Sequence, residues 1–401
     1  MPNRVLFVDD EPNVLQGLKR MLRSQRNVWD MDFASSGEAA LDKFMAEPFD
    51  VVVSDMRMPG MDGATLLEWI QNDAPETIRI ILSGFSEQDA ILRTAGPAHQ
   101  YLAKPAPAEL LVQTITRSLA LRERLMSGDA QQILNRLKTI PTAPDTYLRL
   151  VKTMKSFSGD LDDITAVIES NPALAAQTMK LTNSAFFRLP ESTTSIKRAV
   201  QLLGFETLRA LALNSELYPY YDGRETHLPQ MRILSMRSLQ IGQACAAIAK
   251  VEALPGPEID TLLCAGVVSH VGTLALLAGA SEQFDNVTQN VDSHESSLLD
   301  AEFTEFGCDH AQLGAYFLSL WAFVDPIVEA VAYHHEPHNK GAPPSKFTAI
   351  LHAAQALVRS QDPNDPNLDM AYLESVGCAD RLAAWAAACK TALASPVSLE
   401  A

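Results

Sequence analysis

The first 125 residues or so alternate short apolar runs with helical patterns, and this alternation constrains the fold more than any other feature. Five apolar runs predict strands at 5–8, 31–34, 51–53, 78–82 and 100–103. Apolar residues at helical spacing lie between these runs, and a last helical pattern covers 108 to about 124. Parallel strands need helical crossovers, so this order predicts an α/β doubly wound, five-stranded parallel sheet of the flavodoxin-like type.

Charged side chains stand where three of these strands end. Asp9 and Asp10 follow the first strand, Asp55 follows the third, and Lys104 follows the fifth. The carboxyl ends of parallel strands form the functional edge of such a sheet, so we expect the carboxylates to converge. Clustered carboxylates repel one another, and a hard divalent cation such as Mg²⁺ relieves that repulsion.

This set of residues suits phosphoryl transfer. The carboxylate of Asp55 can attack phosphorus and form an acyl phosphate. Mg²⁺ and Lys104 would stabilise charge on the phosphoryl group. Ser83 ends the fourth strand, where its hydroxyl could contact a phosphoryl oxygen, and Tyr101 precedes Lys104 by three residues. Helix capping by Asp9 or Asp10 is the structural alternative for the acidic pair.

Residues 1–125 resemble a response-regulator receiver domain. The resemblance is carried by four motifs: VDDE at 8–11, SDMRMPGMDG at 54–63, LSG at 82–84 and YLAKP at 101–105. It implies that Asp55 accepts a phosphoryl group from a histidine kinase. It also implies that Asp10, Asp55 and the backbone carbonyl of Arg57 bind Mg²⁺ directly, while Asp9 acts mainly through water.

The same resemblance assigns the remaining site residues. It implies that Ser83 and Tyr101 form a switch pair and that Lys104 holds a phosphoryl oxygen. It further implies a cis peptide bond between Lys104 and Pro105, which X-Pro bonds adopt at low cost. From the residues we expect Asp55 to be exposed at its strand end, where a nucleophile must be accessible.

From about residue 131 the pattern becomes helical, with few strand signals. Candidate helices cover 130–138, 144–155, 161–169, 172–183, 195–202, 205–217, 230–250, 258–278, 295–302, 309–320, 324–334, 346–360, 369–376 and 379–393. The natural break lies at 126–129. We therefore expect a receiver domain at 1–125, a linker or connecting helix at 126–136, an all-helical domain at 137–340, and a C-terminal helical extension with a loose tail at 341–401.

The helical half resembles an HDOD domain, an output module related to HD-type metal phosphohydrolases. The matching stretches are 137–150, 171–213, 265–272 and 307–335. HD enzymes need a His-Asp pair, but that position reads Ser269-His270 here with Val271 following, so the acid is missing, and no histidine stands near 236–238. The resemblance therefore implies a non-catalytic domain that binds a protein partner. A metal-dependent phosphodiesterase acting on a cyclic dinucleotide is the alternative.

His334 and His335 invite a metal-site hypothesis. Adjacent residues on a helix point about 100° apart, so one site rarely takes both. We therefore expect a helix C-terminus here, where histidine complements the helix dipole. We expect His270 to be a packed or hydrogen-bonded core residue. Aromatic residues at 186–187 and 218–221 are expected to be anchors of the core or of loops, with a binding surface as the alternative.

Composition limits the partners and the compartment. The formal net charge is -17, and no long basic cluster occurs, which argues against nucleic acid or an anionic membrane surface. The five cysteines are far apart and form no CxxC pair, as expected for reduced, buried cytoplasmic thiols. No signal-peptide pattern begins the chain, and we expect no membrane span. A homodimer through the receiver or the linker is a further expectation.

Overall fold

The structure is a computed structural model, and it describes residues 2–74, 76–83, 98–125, 145–155, 161–171, 174–175, 178–179, 182, 195–216, 228–294, 298–321, 323–338 and 344–394. These residues fall into two compact units. The first contains the parallel sheet, and the second contains most of the later helices. The expected break at 126–129, the helix at 130–138, and the aromatic residues at 186–187 and 218–221 lie outside the described residues.

The first unit is built on a five-stranded parallel sheet, as predicted. Its strands are β1 (Asn3–Val8), β2 (Trp29–Ala34), β3 (Val51–Asp55), β4 (Ile78–Ser83) and β5 (Gln100–Ala103). Their order is β2-β1-β3-β4-β5, and every neighbouring pair is parallel. The chain reverses its direction of winding between β1 and β3, and a doubly wound sheet opens its functional crevice at such a point.

Helices cover the sheet because its central strands are apolar on both faces. The helices are α1 (Pro12–Met21), α2 (Gly37–Ala46), α3 (Gly63–Asp73) and α4 (Ala108–Leu125), with a short 3₁₀ helix at Arg23–Asn27. Ser36 caps α2 by accepting a hydrogen bond from the Ala39 amide, and Asp62 caps α3 in the same way. All five residues of β3 are buried, as expected for a central parallel strand.

The second unit is helical wherever the structure describes it. The helices after α4 are α5 (Asp145–Lys155), α6 (Leu161–Glu169), α7 (Ile196–Leu203), α8 (Phe205–Glu216), α9 (Leu228–Val251), α10 (Gly256–Val267), α11 (Val271–Gly279), α12 (Ser281–His294), α13 (Leu298–Phe306), α14 (His310–Leu320), α15 (Asp325–Tyr333), α16 (Lys346–Ser360), α17 (Met370–Ser375) and α18 (Leu382–Leu393). All of them lie in the second unit except the first residue of α5, the last residue of α13 and residues 316–320 of α14. The prediction of an all-helical second half is therefore confirmed.

One long helix was predicted at 258–278, and this prediction was wrong. The structure has two helices, α10 and α11, separated by a turn at 268–270. The Ser269 hydroxyl donates a 2.8 Å hydrogen bond to the Gly266 carbonyl. Such side-chain bonds to the backbone compete with helical hydrogen bonds, whereas the apolar periodicity runs through the turn without a break.

The helix α12 was missed because its sequence is poor in strong helix formers. It contains Asp, Asn, Thr and Ser at many positions, all of which favour caps and turns over helix interiors. Phe284 and Val287 are nevertheless buried, so tertiary packing of one face holds the segment as a helix.

Close helix crossings in the second unit depend on glycine. A Cβ added to Gly266 on α10 would lie 2.5 Å from the backbone nitrogen of Gly242 on α9. By length and composition, the stretch Gly256–Leu277 is apolar enough to cross a membrane, but 83% of its apolar window is buried. Burial of this kind is typical of a core helix, so the stretch is weak evidence for a membrane span.

The C-terminal extension packs on α9 through a buried carboxylate. Glu252, at the end of α9, accepts 2.9 Å hydrogen bonds from Arg381 Nε and from Trp385 Nε1. Its second oxygen lies 2.8 Å from the ammonium of Lys346, at the start of α16. One side chain thus ties the starts of α16 and α18 to the end of α9.

Candidate functional site

The carboxylates predicted at the ends of β1 and β3 lie at one edge of the sheet. Val8 pairs with Ser54 in the parallel ladder, so the residues that follow, Asp9 and Asp55, are neighbours on adjacent strands. Asp9 is 1% exposed and Asp55 is 6% exposed. Two buried carboxylates this close need a compensating positive charge.

Lys104, which follows β5, supplies that charge. Its ammonium lies 2.7 Å from Asp9 Oδ2 and also forms an ion pair with Asp55 Oδ1. Burial opposes the charged form of Lys104, but its hydrogen bonds to Asp55 and Asp9 outweigh burial and raise its pKa above the usual value. The predicted convergence is confirmed for Asp9 and Asp55, and Lys104 contacts both.

The expected exposure of Asp55 was wrong, and the turn behind the strand explains why. A Cβ added to Gly63, the first residue of α3, would lie 1.9 Å from the Asp55 carbonyl oxygen. Only glycine lets the helix begin this close to the strand end. The chain reaches Gly63 through Gly60, whose φ of +78° also favours glycine.

The remaining predicted residues differ in how far the structure describes them. Asp10 is half-buried, whereas Arg57 is exposed. Ser83 pairs with Ala103 in the ladder between β4 and β5, but the side chains of Ser83 and Tyr101 lie outside the described residues. The peptide bond between Lys104 and its proline is cis, as expected.

The donor set at this edge fits a hard divalent cation. Carboxylate oxygens of Asp9, Asp10 and Asp55 are the ligand type that Mg²⁺ prefers. One oxygen of Asp9 accepts a 2.9 Å hydrogen bond from the Glu11 amide, and the other faces Lys104. The carboxylate of Asp9 is therefore fixed in position, and the ammonium of Lys104 balances part of the negative charge at this edge.

A second group of ionisable side chains lies inside the helical unit. His270, His310 and His334 are buried, and His335 is half-buried. The ring centroids of His334 and His335 are 4.0 Å apart, and those of His310 and His335 are 4.9 Å apart. The ring of His270 stacks on that of His310 at 6.0 Å. Four imidazoles therefore share one interior site.

Hydrogen bonds orient these rings. The Nδ1 atom of His310 lies 2.7 Å from Glu302 Oε2, and His334 Nδ1 lies 2.7 Å from the Val331 carbonyl. The His310 and His335 Nε2 atoms are 3.0 Å apart. Burial works against a charged His310, but Glu302 outweighs it and raises the pKa of His310.

His270 is buried and hydrogen-bonded, as expected. Its Nδ1 atom lies 3.1 Å from the Ser269 hydroxyl and 3.3 Å from the Ser238 hydroxyl. Burial lowers its pKa well below the usual value, and the neighbouring His310 lowers it further. Ser238 stands in the region where an upstream ligand histidine was sought, so a hydroxyl takes that place beside His270.

Comparison with known proteins agrees with both halves of this description. Residues 5–116 match the family described as response regulator receiver domain, and residues 140–337 match the family described as HDOD domain. The chain combines a response regulator receiver domain with an HDOD domain. The receiver domain carries the carboxylates and Lys104, and the HDOD domain carries the histidine cluster.

Curated proteins are similar to parts of this chain. An uncharacterized protein of Treponema pallidum is 25% identical over 240 residues, which are 58% of this chain and 43% of that protein. Hydrogenase transcriptional regulatory protein HoxA of Cupriavidus necator is 30% identical over 137 residues, 34% of this chain and 27% of that protein. The chain thus spans less than half the length of either relative.

A solved structure supports the fold of the helical half. The crystal structure of an HDOD domain protein of unknown function from Geobacter sulfurreducens covers 70% of this chain and 100% of its own, with a TM-score of 0.50 and 18% identity. At this identity the likeness shows the fold alone.

Sequence reasoning missed how the HDOD histidines come together. The helix α15 ends at Tyr333, so a helix end at this place is confirmed. His335 lies beyond the helix, in a bend where the backbone no longer follows helical geometry, so the expected 100° separation from His334 does not hold. Glu302 was missed entirely, since a single glutamate in a helical pattern gives no signal of burial.

Proposed function

We propose that this protein is a two-component response regulator in which a histidine kinase phosphorylates Asp55 and the HDOD domain relays that state to a protein partner. One observation carries the proposal: the ammonium of Lys104 contacts both Asp9 and Asp55 at the edge of the sheet. A carboxylate nucleophile beside a fixed cation is the arrangement that phosphoryl transfer to aspartate requires.

In this proposal the acidic residues hold Mg²⁺. Asp10, Asp55 and the backbone carbonyl of Arg57 are direct ligands, and Asp9 acts mainly through water. When bound, Mg²⁺ supplies positive charge that stabilises the phosphoryl oxygens. Asp55 provides the attacking oxygen, and its burial beside neighbouring charges limits access by bulk water.

The switch residues act after transfer. Lys104 moves its contact from the Asp55 carboxylate to a phosphoryl oxygen, and Ser83 and Tyr101 respond as a pair. Phosphorylation then changes the relative populations of two states of the protein.

The proposed domain bounds are 1–125 for the receiver domain, 126–136 for the linker, 137–340 for the HDOD domain and 341–401 for the C-terminal extension.

The phosphorylation step is tested with the full chain, Mg²⁺ and a small phosphoryl donor such as acetyl phosphate. Wild type should gain one phosphoryl group by intact mass, and hydroxylamine should remove it because acyl phosphates are labile to that nucleophile. Asp55→Asn should gain none. Asp73→Asn, an exposed position at the end of α3, is the matched control and should behave as wild type. Labelling of Asp55→Asn at the wild-type level would refute the assignment.

We propose that the HDOD domain does not catalyse a reaction. The residue after His270 is Val271, so the acid of a His-Asp pair is missing. A cyclic dinucleotide phosphodiesterase is the alternative, and a hydrolysis assay with added Mn²⁺ distinguishes the two. Hydrolysis of the cyclic dinucleotide that persists in the purified wild-type protein and disappears in His310→Ala would favour the enzyme.

The partner can be sought with two baits in a cytoplasmic extract. One bait is wild type with Mg²⁺ and beryllofluoride, which mimics the acyl phosphate, and the other is Asp55→Asn. A protein recovered with only one bait would support a phosphorylation-gated adaptor. We propose that the protein is cytoplasmic and that it binds neither nucleic acid nor a membrane. We also propose that it can form a homodimer. Its net charge of -17 supports the exclusion of nucleic acid.

A further inference from the structure

Three separate elements of the HDOD domain bring imidazole nitrogens to one point. His310 begins α14, while His334 and His335 follow the end of α15. A Cβ on Gly272 would lie 1.9 Å from the His310 carbonyl oxygen, so glycine allows α11 to approach the start of α14. This close approach also places His270, just before α11, beside the other three rings.

The nitrogen spacing is close to that of ligands on one metal ion. One ring nitrogen from each of His310, His334 and His335 lies within 4.8 Å of the other two. Nitrogens bound at 2.0–2.1 Å to a tetrahedral metal are roughly 3.4 Å apart. The 3.0 Å separation between His310 and His335 already falls near this value.

The hydrogen bonds of the rings leave the inner nitrogens available. His310 Nδ1 is bonded to Glu302, and His334 Nδ1 is bonded to the Val331 carbonyl. Metal-binding histidines usually donate their outer N–H to a carboxylate or a backbone carbonyl in this way. His310 is thus held with Nε2 facing His335, and His334 is held with Nε2 free of any hydrogen bond among the described residues.

One buried nitrogen distinguishes a metal site from a hydrogen-bonded cluster. A proton shared between the Nε2 atoms of His310 and His335 would hold those two rings together. That shared proton would not satisfy His334 Nε2, which is buried and has no hydrogen-bond partner among the described residues. A buried nitrogen without a partner destabilises the folded state, and a metal ion bound to it would remove that penalty.

The electrostatic surroundings favour the neutral form of two of the three rings, those of His334 and His335. Burial lowers the pKa of His334 to about 3 and lowers that of His335 well below its usual value. Neutral imidazoles can bind a cation without first losing a proton. The carboxylate of Glu302, fully buried against His310, offsets part of the positive charge that an ion would bring.

We propose that His310, His334 and His335 bind one divalent transition-metal ion of the Zn²⁺ type inside the HDOD domain. Three imidazoles suit borderline metals such as Zn²⁺, Co²⁺ or Ni²⁺ and not Mg²⁺ or Ca²⁺, which prefer oxygen. The site is separate from the receiver carboxylates, and metal binding there needs no His-Asp pair and no hydrolysis. Glu302 positions His310 and does not touch the ion.

The test measures Zn²⁺ binding to the chelator-treated full chain by competition with a chromogenic chelator. Wild type should bind one equivalent of Zn²⁺. His334→Ala and His335→Gln should each bind it with an affinity reduced about 100-fold or more. Glu302→Gln should weaken binding about 10- to 100-fold while keeping the stoichiometry. His338→Ala removes an exposed histidine outside the cluster and should leave binding unchanged. Any Zn²⁺ at the receiver carboxylates is common to all variants and cancels in the comparison.

Co²⁺ gives an independent readout, because nitrogen-rich four-coordinate sites produce intense visible bands. These bands should appear in wild type and His338→Ala but not in the cluster variants. Circular dichroism checks that each variant folds. His334 is buried, so if His334→Ala fails to fold, the test rests on His335→Gln, whose wild-type residue is half-buried. Equal binding by wild type and folded His335→Gln would overturn the proposal, as would the absence of a one-equivalent site in wild type.

Discussion

Replacing Glu252 with glutamine should loosen the attachment of the C-terminal segments to the HDOD core. The carboxylate meets Arg381, Trp385 and Lys346 at 2.8–2.9 Å. Burial disfavours its charge, but hydrogen bonds from Lys346, Trp385 and Arg381 outweigh burial and hold the pKa of Glu252 at about 2, against an ordinary 4.5.

The size of the effect follows from that pKa. A fall from 4.5 to about 2 corresponds to at most roughly 3 kcal/mol of stabilisation of the charged form. The side chains of Arg381 and Lys346 are each 42% exposed, so solvent screens much of it. We therefore expect Glu252→Gln to lower the free energy of unfolding by about 1–2 kcal/mol at neutral pH.

The sign of the pH dependence provides a sharper test. Because folding lowers the pKa of Glu252, its contribution is complete above pH 4.5 and is lost as pH falls towards about 2. Glutamine does not titrate, so the deficit of the variant should shrink over that window. Urea unfolding followed by circular dichroism measures it, with exposed Glu374→Gln as the control. An unchanged deficit across the window, or no deficit at neutral pH, would refute the electrostatic reasoning.

Other predictions concern the receiver domain. Gly63→Ala should destabilise it by about 1–3 kcal/mol, because the new Cβ would meet the Asp55 carbonyl at 1.9 Å. Gly17→Ala in α1 meets nothing within 4 Å and should instead stabilise it by about 0.5–1 kcal/mol. Thermal unfolding followed by circular dichroism measures both changes. Lys104→Gln should slow acyl phosphate formation on Asp55, measured by intact mass, and an unchanged rate would remove Lys104 from the mechanism. Since the pKa of Lys104 is raised from 10.5, its contribution to stability should be complete below that pH and disappear only above it.

Much of the receiver site could be predicted from local sequence. Short strand patterns at 5–8, 51–53 and 100–103 lead into Asp9, into Asp55 one residue further on, and into Lys104, and the strand order of a doubly wound sheet brings such ends together. The convergence was therefore predictable from strand order alone. The burial of Asp55 was not, because it depends on how closely Gly63 brings α3 against the strand end.

The histidine cluster belongs to the tertiary structure. His270, His310 and His334 are separated by 24 or more positions and lie on different helical segments, so no periodicity relates them. Their meeting depends on a glycine contact between α11 and the start of α14, and on a helix that ends one residue before His334. Each of these features is a long-range packing outcome.

The sequence by itself determined the fold class of both halves and the residues at the receiver edge, because strand and helix periodicities are local and strand ends follow from them. Only the tertiary structure decided where the long apolar stretch breaks into α10 and α11, how Glu252 anchors the C-terminal helices, and which histidines share a site. These three features depend on packing between side chains that are far apart in the chain. No local pattern of residues encodes the free energy of that packing.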